Sequence, residues 1–337
     1  MSRIPSCILC DSSKTETLAT RDRRGKGLRN VICCQCGLVR VDPLPDAATL
    51  QLFYASEYRL QYKHAWHPRP RHVFRDTHGA LHRARRLLEI YRPGMSLLDI
   101  GCGAGFFLYL LKKLSIDAAG LEPNIGYTEF AREELQLDNI FNGTLMEFSP
   151  GRSFDLITIN HVFEHLDQPL AALQKMAALL NSQGNILMEI PNIESTYHAP
   201  DRIFHIGHLY WFNPINIQAL VQKAGLTIAD MQVQGGNGHI NLVIRKDPDR
   251  VTVSGHSAVA GRLAMLAGNY QRVLNIRRRH TRLRHYTSPA PYRRFLRKGI
   301  RYAREWYSVS QSAAPRSIAD GVCEKFLPAL LATIHRS

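Results

Sequence analysis

Apolar and polar positions follow different rhythms along this chain, and each rhythm predicts its own structure. Between Val73 and Tyr91 the apolar residues Leu81, Ala84, Leu87, Leu88 and Tyr91 recur at helical spacing. After Pro93-Gly94 the pattern changes to short apolar strands alternating with helices: strand Ser96–Ile100, helix Phe106–Leu114, then a strand at Ala118–Leu121. Such an alternation predicts a doubly wound α/β domain with a mostly parallel sheet. Asn213-Pro214 opens a further helix over Ile215–Ala224, and the glycine-rich stretch Gly235–Gly238 reads as the hairpin turn between the last two strands. Beyond Pro248, helical spacing returns. Ser257–Ile276 reads as one helix. In Tyr292–Tyr307 the residues Phe295, Leu296, Ile300, Ala303, Trp306 and Tyr307 fall on one face, with six Arg and Lys residues elsewhere.

These changes of rhythm divide the chain into an N-terminal module over residues 1–45, a helical cover over 46–92, the α/β domain over 93–248 and a helical tail over 249–337. Charge follows the same division. Residues 1–94 carry 17 basic and 8 acidic side chains, residues 95–250 carry 10 and 17, and residues 251–337 carry 16 and 3, for a net +15 in 337 residues. An acidic middle between basic ends does not resemble a uniform nucleic-acid coat, yet the ends leave an anionic partner open. With 45% hydrophobic and 21% charged residues the chain is globular in composition. No run of about 18 apolar residues predicts a membrane-spanning helix. The opening residues Met1–Cys7 lack the apolar core of a signal peptide, so the expected compartment is the cytoplasm.

Five of the seven cysteines lie in the first 36 residues. Cys7/Cys10 and Cys33/Cys36 form two C-x2-C pairs with 22 residues between them. Each pair presents two thiolates from one turn, and two turns complete a tetrahedral zinc site. Four protein ligands close such a site, which makes it structural. Disulfides are the alternative, and Cys34 is a possible substitute ligand with poorer spacing. A module of about 40 residues buries little core, so the metal would supply folding energy.

In the α/β domain, strand Ser96–Ile100 runs directly into Gly101-Cys102-Gly103-Ala104-Gly105 and a helix. Strand, glycine loop and helix together form a nucleotide-cofactor turn. Its G-x-G-x-G spacing differs from the dinucleotide fingerprint, and no P-loop lysine follows it. Asp99 precedes the loop, and Glu122 ends the next strand, 21 residues after Gly101. A carboxylate there can grip two ribose hydroxyls.

With these residues the sequence resembles the class I S-adenosylmethionine-dependent methyltransferases over about residues 94–246, on Leu98–Gly105, Gly120-Leu121-Glu122-Pro123, Phe154–Ile157, His161–Asp167 and Leu179–Leu187. The two C-x2-C pairs, Cys36-Gly37-Leu38-Val39 and Pro43-Leu44-Pro45 resemble its branch with an N-terminal zinc ribbon, whose members often modify sugars or other small metabolites. The resemblance implies a seven-stranded sheet with its last strand antiparallel. It implies S-adenosylmethionine as cofactor, with Gly101, Gly103 and Gly105 admitting its methionine part, Asp99 supporting the loop and Glu122 on the ribose. Asn142–Leu145 falls where the family touches adenine, without the usual acidic residue.

Methyl transfer requires an aligned nucleophile and, for a hydroxyl or carbon acid, removal of a proton. Asn160, His161, Glu164 and His165 lie just past the fourth strand of the domain, where ligands bind in such sheets. Asn160 is a candidate cofactor contact. His161-x-x-Glu164-His165 also matches a zinc-peptidase pattern, but its strand–loop context belongs to the methyltransferase pattern. Ubiquinone-pathway O-methyltransferases carry E-x-x-E-H here and can hold a divalent metal; His161 in place of the first Glu argues against a hard cation. A second cluster, His198, His205 and His208, follows the fifth strand. The candidate catalytic residues are His208, His205 and His165, each with structural packing as the alternative role.

The expected function is methyl transfer from S-adenosylmethionine to a small-molecule acceptor, a sugar or saccharide-derived hydroxyl or carbon. An RNA methyltransferase and a non-catalytic cofactor-binding scaffold are the alternatives. The basic tail predicts either a solvated helical hairpin or contact with an anionic membrane surface or lipid-linked substrate; nucleic acid is the less favoured partner.

Overall fold

The computed structural model describes residues 6–58, 60, 65–234, 238–246, 256–310 and 314–334. The proposed turn at Gly235-Gly236-Asn237 lies outside them. Contacts divide the chain into two compact units: residues 1–45, 160–178 and 185–293 in one, and residues 46–159, 179–184 and 294–337 in the other.

The strands in chain order are β1 (Thr15–Arg21), β2 (Gly27–Cys33), β3 (Val39–Val41), β4 (Leu97–Ile100), β5 (Ala118–Glu122), β6 (Ile140–Asn142), β7 (Phe154–Asn160), β8 (Leu180–Pro191), β9 (Tyr210–Trp211), β10 (Leu226–Val233) and β11 (His239–Lys246). Seven of them form a sheet ordered β10-β11-β8-β7-β4-β5-β6. The strand β4 is parallel to both β5 and β7, and β5 is parallel to β6. The last strand, β11, runs antiparallel to β8 and β10. The chain goes outward from β4 through β5 to β6 and then returns to β7 on the other side of β4. That reversal makes β4 a topological switch point, and open α/β sheets bind ligands at the carboxyl ends of strands at such points.

The helices are α1 (Ala47–Leu52), α2 (Pro70–Leu88), α3 (Phe106–Lys113), α4 (Ile125–Glu133), α5 (Pro169–Leu179), α6 (Pro214–Lys223), α7 (His256–Leu266), α8 (Asn269–Arg279), α9 (Arg282–Tyr286), α10 (Ala290–Ser310) and α11 (Pro315–Ile334). All four residues of β4 are buried, as are the first six of α3, so this strand–loop–helix unit is core on every side. On α2 the predicted stripe is buried at Leu81, Ala84, Leu87 and Leu88, and α11 packs along this helix. Tyr109 Oη donates to Asp320 at 2.6 Å and Lys113 pairs with the same carboxylate at 2.6 Å, fastening α11 to α3.

The N-terminal module is a sheet ordered β1-β2-β3-β9, and its fourth strand comes from far along the chain. Val39 pairs with Trp211 and Arg40 with Tyr210. Trp211 then enters one apolar cluster with Ile32, Val39, Val41, Ile193, Phe204, Val273 and Leu274. A module that buries little by itself thus gains core from residues of the later chain.

The single helix expected over Ser257–Ile276 is two helices. They break at Ala267-Gly268, where Gly268 takes φ +75°. The break has a tertiary cause. The start of α8 closes on Gly37 so tightly that a Cβ there would lie 2.9 Å from the Tyr270 nitrogen. Asn269 Nδ2 donates to the Cys36 carbonyl at 2.8 Å. Helical spacing carries no signal for that docking.

Candidate active site

The cofactor-side residues share one local framework. Gly101, Gly103 and Gly105 all have φ in the left-handed region, 69°, 59° and 79°, which favours glycine. At Gly105 a Cβ would lie 2.6 Å from Leu137 Cδ1, so close packing and backbone conformation demand the same residue. Glu122, 4% exposed, accepts from the Gly103 N–H at 2.8 Å and from the Asn124 N–H at 3.1 Å. The carboxylate at the end of β5 therefore ties down the glycine loop after β4. Asp99 is fully buried and accepts from Thr158 Oγ1 at 2.6 Å across the β4–β7 pair. Burial raises its pKa, against the opposing pull of Arg83, whose guanidinium lies 3.7 Å from the other oxygen. Arg83 comes from α2 and also stacks on Phe107 at 4.5 Å. Sequence reading missed it, because only the packing of α2 brings it to Asp99.

Asn142 donates to the carbonyls of Glu122 and Pro123. The acidic residue absent from Asn142–Leu145 stands slightly later: Glu147 folds back and accepts from the Thr144 N–H at 2.8 Å and its hydroxyl at 2.7 Å. Those bonds hold its carboxyl below the usual carboxylate pKa.

The histidines gather around two carboxylates. His161 follows β7 directly and takes φ +53°, rare for a residue with a side chain. Its Nε2 lies 2.9 Å from Glu189 Oε1 and its Nδ1 lies 3.6 Å from Glu164 Oε1. Burial works to lower the His161 pKa, but the two carboxylates outweigh it and lift it to about 10. His239 Nδ1 stands 3.2 Å from the same Glu189 oxygen. The sequence offers His161 and, more weakly, His239 as acceptor-site residues; their meeting at Glu189 comes from the fold. It depends on the antiparallel pairing of β8 with β11, which opposes His239 to Pro191 and Asn241 to Glu189.

The second carboxylate, Glu164, is 1% exposed and neither of its oxygens has a hydrogen-bond partner among the described residues. Around its Oε1 stand His161 Nδ1 at 3.6 Å, His208 Nε2 at 3.6 Å and His165 Nε2 at 3.9 Å. His208 Nδ1 is likewise buried without a hydrogen bond. Burial pushes the His208 pKa well down, and the neighbouring His205, His165 and His161 add to the effect. Burial also takes His205 down to about 2, helped by Arg23. Both imidazoles are therefore neutral at pH 7. The three predicted catalytic histidines do come together: ring centroids lie 3.8 Å apart for His205–His208, 4.9 Å for His165–His208 and 6.3 Å for His165–His205. They are not equivalent. The Gly207 N–H donates to His205 Nδ1 at 3.2 Å, which occupies that nitrogen's lone pair. Asn160, the last residue of β7, is partly exposed.

Three groups of donors among the described residues could hold metal ions, one of them the His161, Glu189 and His239 set. Cys7, Cys10, Cys33 and Cys36 bring their sulfurs within 4.8 Å of one another, with Cys7–Cys36 at 3.4 Å and Cys10–Cys33 at 3.5 Å. A tetrahedral ion with bonds of about 2.3 Å to sulfur needs ligand edges near ~3.8 Å, so small shifts would seat one. Cys34 is not in this group. Glu164, His165 and His208 form the second set, also within 4.8 Å.

The Rossmann-like sheet with its glycine loop and acidic strand end defines a nucleotide-cofactor-binding enzyme domain. The family model described as "Methyltransferase domain" matches residues 65–230. The chain carries a class I S-adenosylmethionine-dependent methyltransferase domain. The ubiquinone biosynthesis O-methyltransferase of Rhodopseudomonas palustris (strain BisB5) is 30% identical over 105 residues, 29% of this chain and 41% of that protein. That of Bartonella tribocorum is 28% identical over 151 residues, 40% of this chain and 60% of that protein. The match thus spans about half the length of these curated relatives. Among solved structures, the magnesium protoporphyrin IX methyltransferase of Synechocystis PCC 6803 with bound S-adenosylhomocysteine aligns over 60% of this chain and 100% of that one, at 14% identity and TM-score 0.46.

Proposed function

We propose that the protein transfers a methyl group from S-adenosylmethionine to a hydroxyl of a small molecule, with a sugar or saccharide-derived acceptor as the class. The observation that carries this reading is the neutral, half-buried His208 beside the buried carboxylate of Glu164. Bound S-adenosylmethionine would supply an activated methyl for transfer to the acceptor oxygen. His208 takes the hydroxyl proton, and Glu164 stabilises the resulting imidazolium through Nε2. His205, with Nδ1 engaged, packs against His208 and does not act as base. His161, held protonated between Glu164 and Glu189, contributes positive charge near the developing oxyanion.

On the cofactor side, Gly101, Gly103 and Gly105 admit the methionine part and Asp99 braces β4 against β7 through Thr158. Glu122 receives the ribose hydroxyls. The Cys7/Cys10/Cys33/Cys36 site holds one structural zinc. The hydroxyl as acceptor atom is supported by relatives named O-methyltransferases, and the sugar class by the resemblance of the ribbon-bearing branch.

A second reading rests on the Glu164, His165 and His208 donor set, which would suit a divalent transition ion that orients the acceptor hydroxyl. The test is an assay with methyl-labelled S-adenosylmethionine against sugar nucleotides and phenols, with and without a chelator. Labelled sugar product that survives chelation supports the His208 base. Product from phenols alone overturns the acceptor class, and activity restored only by added metal favours the second reading.

A further inference from the structure

Helix α10, Ala290–Ser310, leaves its apolar residues exposed. Its buried residue is Glu305, paired with Arg301 at 3.3 Å, while Phe295 is 77% and Trp306 75% exposed. Tyr292, Leu296, Ile300 and Tyr307 are exposed beside them. At 3.6 residues per turn these six side chains fall within an arc of about 140°. The six basic residues of the helix, Arg293, Arg294, Arg297, Lys298, Arg301 and Arg304, occupy the opposite arc. The helix thus directs an aromatic and aliphatic stripe outward and carries cations along both borders of it.

Charge decides what covers the stripe. Glu305, the helix's one acidic residue, is buried and already paired. A second copy of this chain would bring the same six cations to the same borders, with no exposed carboxylate on the helix to meet them. Trp and Tyr among aliphatic side chains, with Arg and Lys at the edges, match the boundary between lipid headgroups and acyl chains. Among the described residues no helix is long and apolar enough to cross a membrane, so the helix would lie in the surface plane.

We propose that α10 is an in-plane anchor for an anionic lipid bilayer, with Phe295, Leu296 and Trp306 in the acyl boundary and the basic residues among the phosphates. This inference is independent of the methyl-transfer reading.

The test is flotation of the full chain with two kinds of vesicle, phosphatidylcholine alone and phosphatidylcholine with about one-third phosphatidylglycerol, at low and moderate salt. The chain is expected to float with the anionic vesicles and not with the neutral ones, more strongly at low salt. The Phe295→Ser/Trp306→Ser variant should lose at least about tenfold in partitioning while keeping its thermal midpoint, because both side chains are exposed. Arg293→Gln/Arg297→Gln/Arg304→Gln should lose about fivefold per charge. Brominated acyl chains should quench Trp fluorescence, and Trp306→Phe should remove that quenching. Absent flotation, equal recovery with neutral vesicles, or anionic binding unchanged in the double variant would overturn the proposal. So would a concentration-dependent dimer, or salt-sensitive RNA retention, abolished by the same substitutions.

Discussion

Glu164 and His208 face one another at 3.6 Å, a carboxylate with no hydrogen bond among the described residues beside an imidazole whose other nitrogen has none there either. Leaving such groups unmet in a buried site costs about 1–3 kcal/mol each, which a purely structural arrangement would avoid. Glu164→Gln keeps the shape and removes the charge. It is expected to lower kcat by roughly 10²-fold, with S-adenosylmethionine affinity unchanged and little loss of stability. Steady-state kinetics with calorimetric titration of the cofactor separate these effects; an unchanged kcat removes Glu164 from the mechanism.

The pH dependence of stability carries the signature of the His161–Glu189 pair. The His161 pKa is raised in the folded chain to about 10, so its contribution is fully present below about 6.5, the unfolded value, and is lost as pH rises through about 10. Glu189 is held below the usual carboxylate range; burial opposes this, and His161 and His239 overcome it. Its contribution is present above the unfolded carboxylate pKa and is lost as pH falls below it. Thermal midpoints measured across this range should decline on both sides. Glu189→Gln should flatten the alkaline decline, and a decline identical to wild type would contradict the pairing.

Cys10→Ser should abolish binding of one zinc per chain, because structural zinc contributes on the order of 10 kcal/mol to such modules. The effect should travel. Val39 and Arg40 pair with Trp211 and Tyr210, three and two residues after His208, so turnover should fall while cofactor binding persists. Metal analysis of a Cys7/Cys10/Cys33/Cys36 quadruple serine variant checks the assignment; stoichiometric zinc retained there would refute it.

Glu122→Ala removes both the expected ribose acceptor and the bond to the Gly103 N–H. Charge-assisted bonds are worth roughly 1.5–3 kcal/mol each, so affinity for S-adenosylmethionine should drop at least about tenfold by calorimetry. Gly103→Val should do worse, since φ +59° is strained for any branched side chain.

Local signals made the α/β core readable. The apolar run of β4, the three glycines and the helix after them lie in one stretch of sequence, and each residue's role there follows from its neighbours. Glu122 was readable from its place at a strand end. The clamp between Glu122 and Gly103 was not, nor the Thr158 bond to Asp99, because both cross between strands. The three histidines could be chosen by type and position, but not ranked. Their ranking depends on the Gly207 N–H over His205 and on Glu164 beneath His208. The left-handed backbone at His161 and the break at Gly268 share a cause: tertiary contacts override local preference. The same holds for β9, two residues too short for any pattern, which join the sheet of the N-terminal module.

The most direct measurement is transfer of labelled methyl from S-adenosylmethionine to a hydroxylated small molecule by wild type and by His208→Ala, with cofactor binding recorded on the same samples. Wild type should label an acceptor oxygen. His208→Ala should bind S-adenosylmethionine equally well and label roughly 10²–10⁴-fold more slowly. A chain that binds no S-adenosylmethionine, or a His208→Ala variant that methylates at the wild-type rate, would contradict the account.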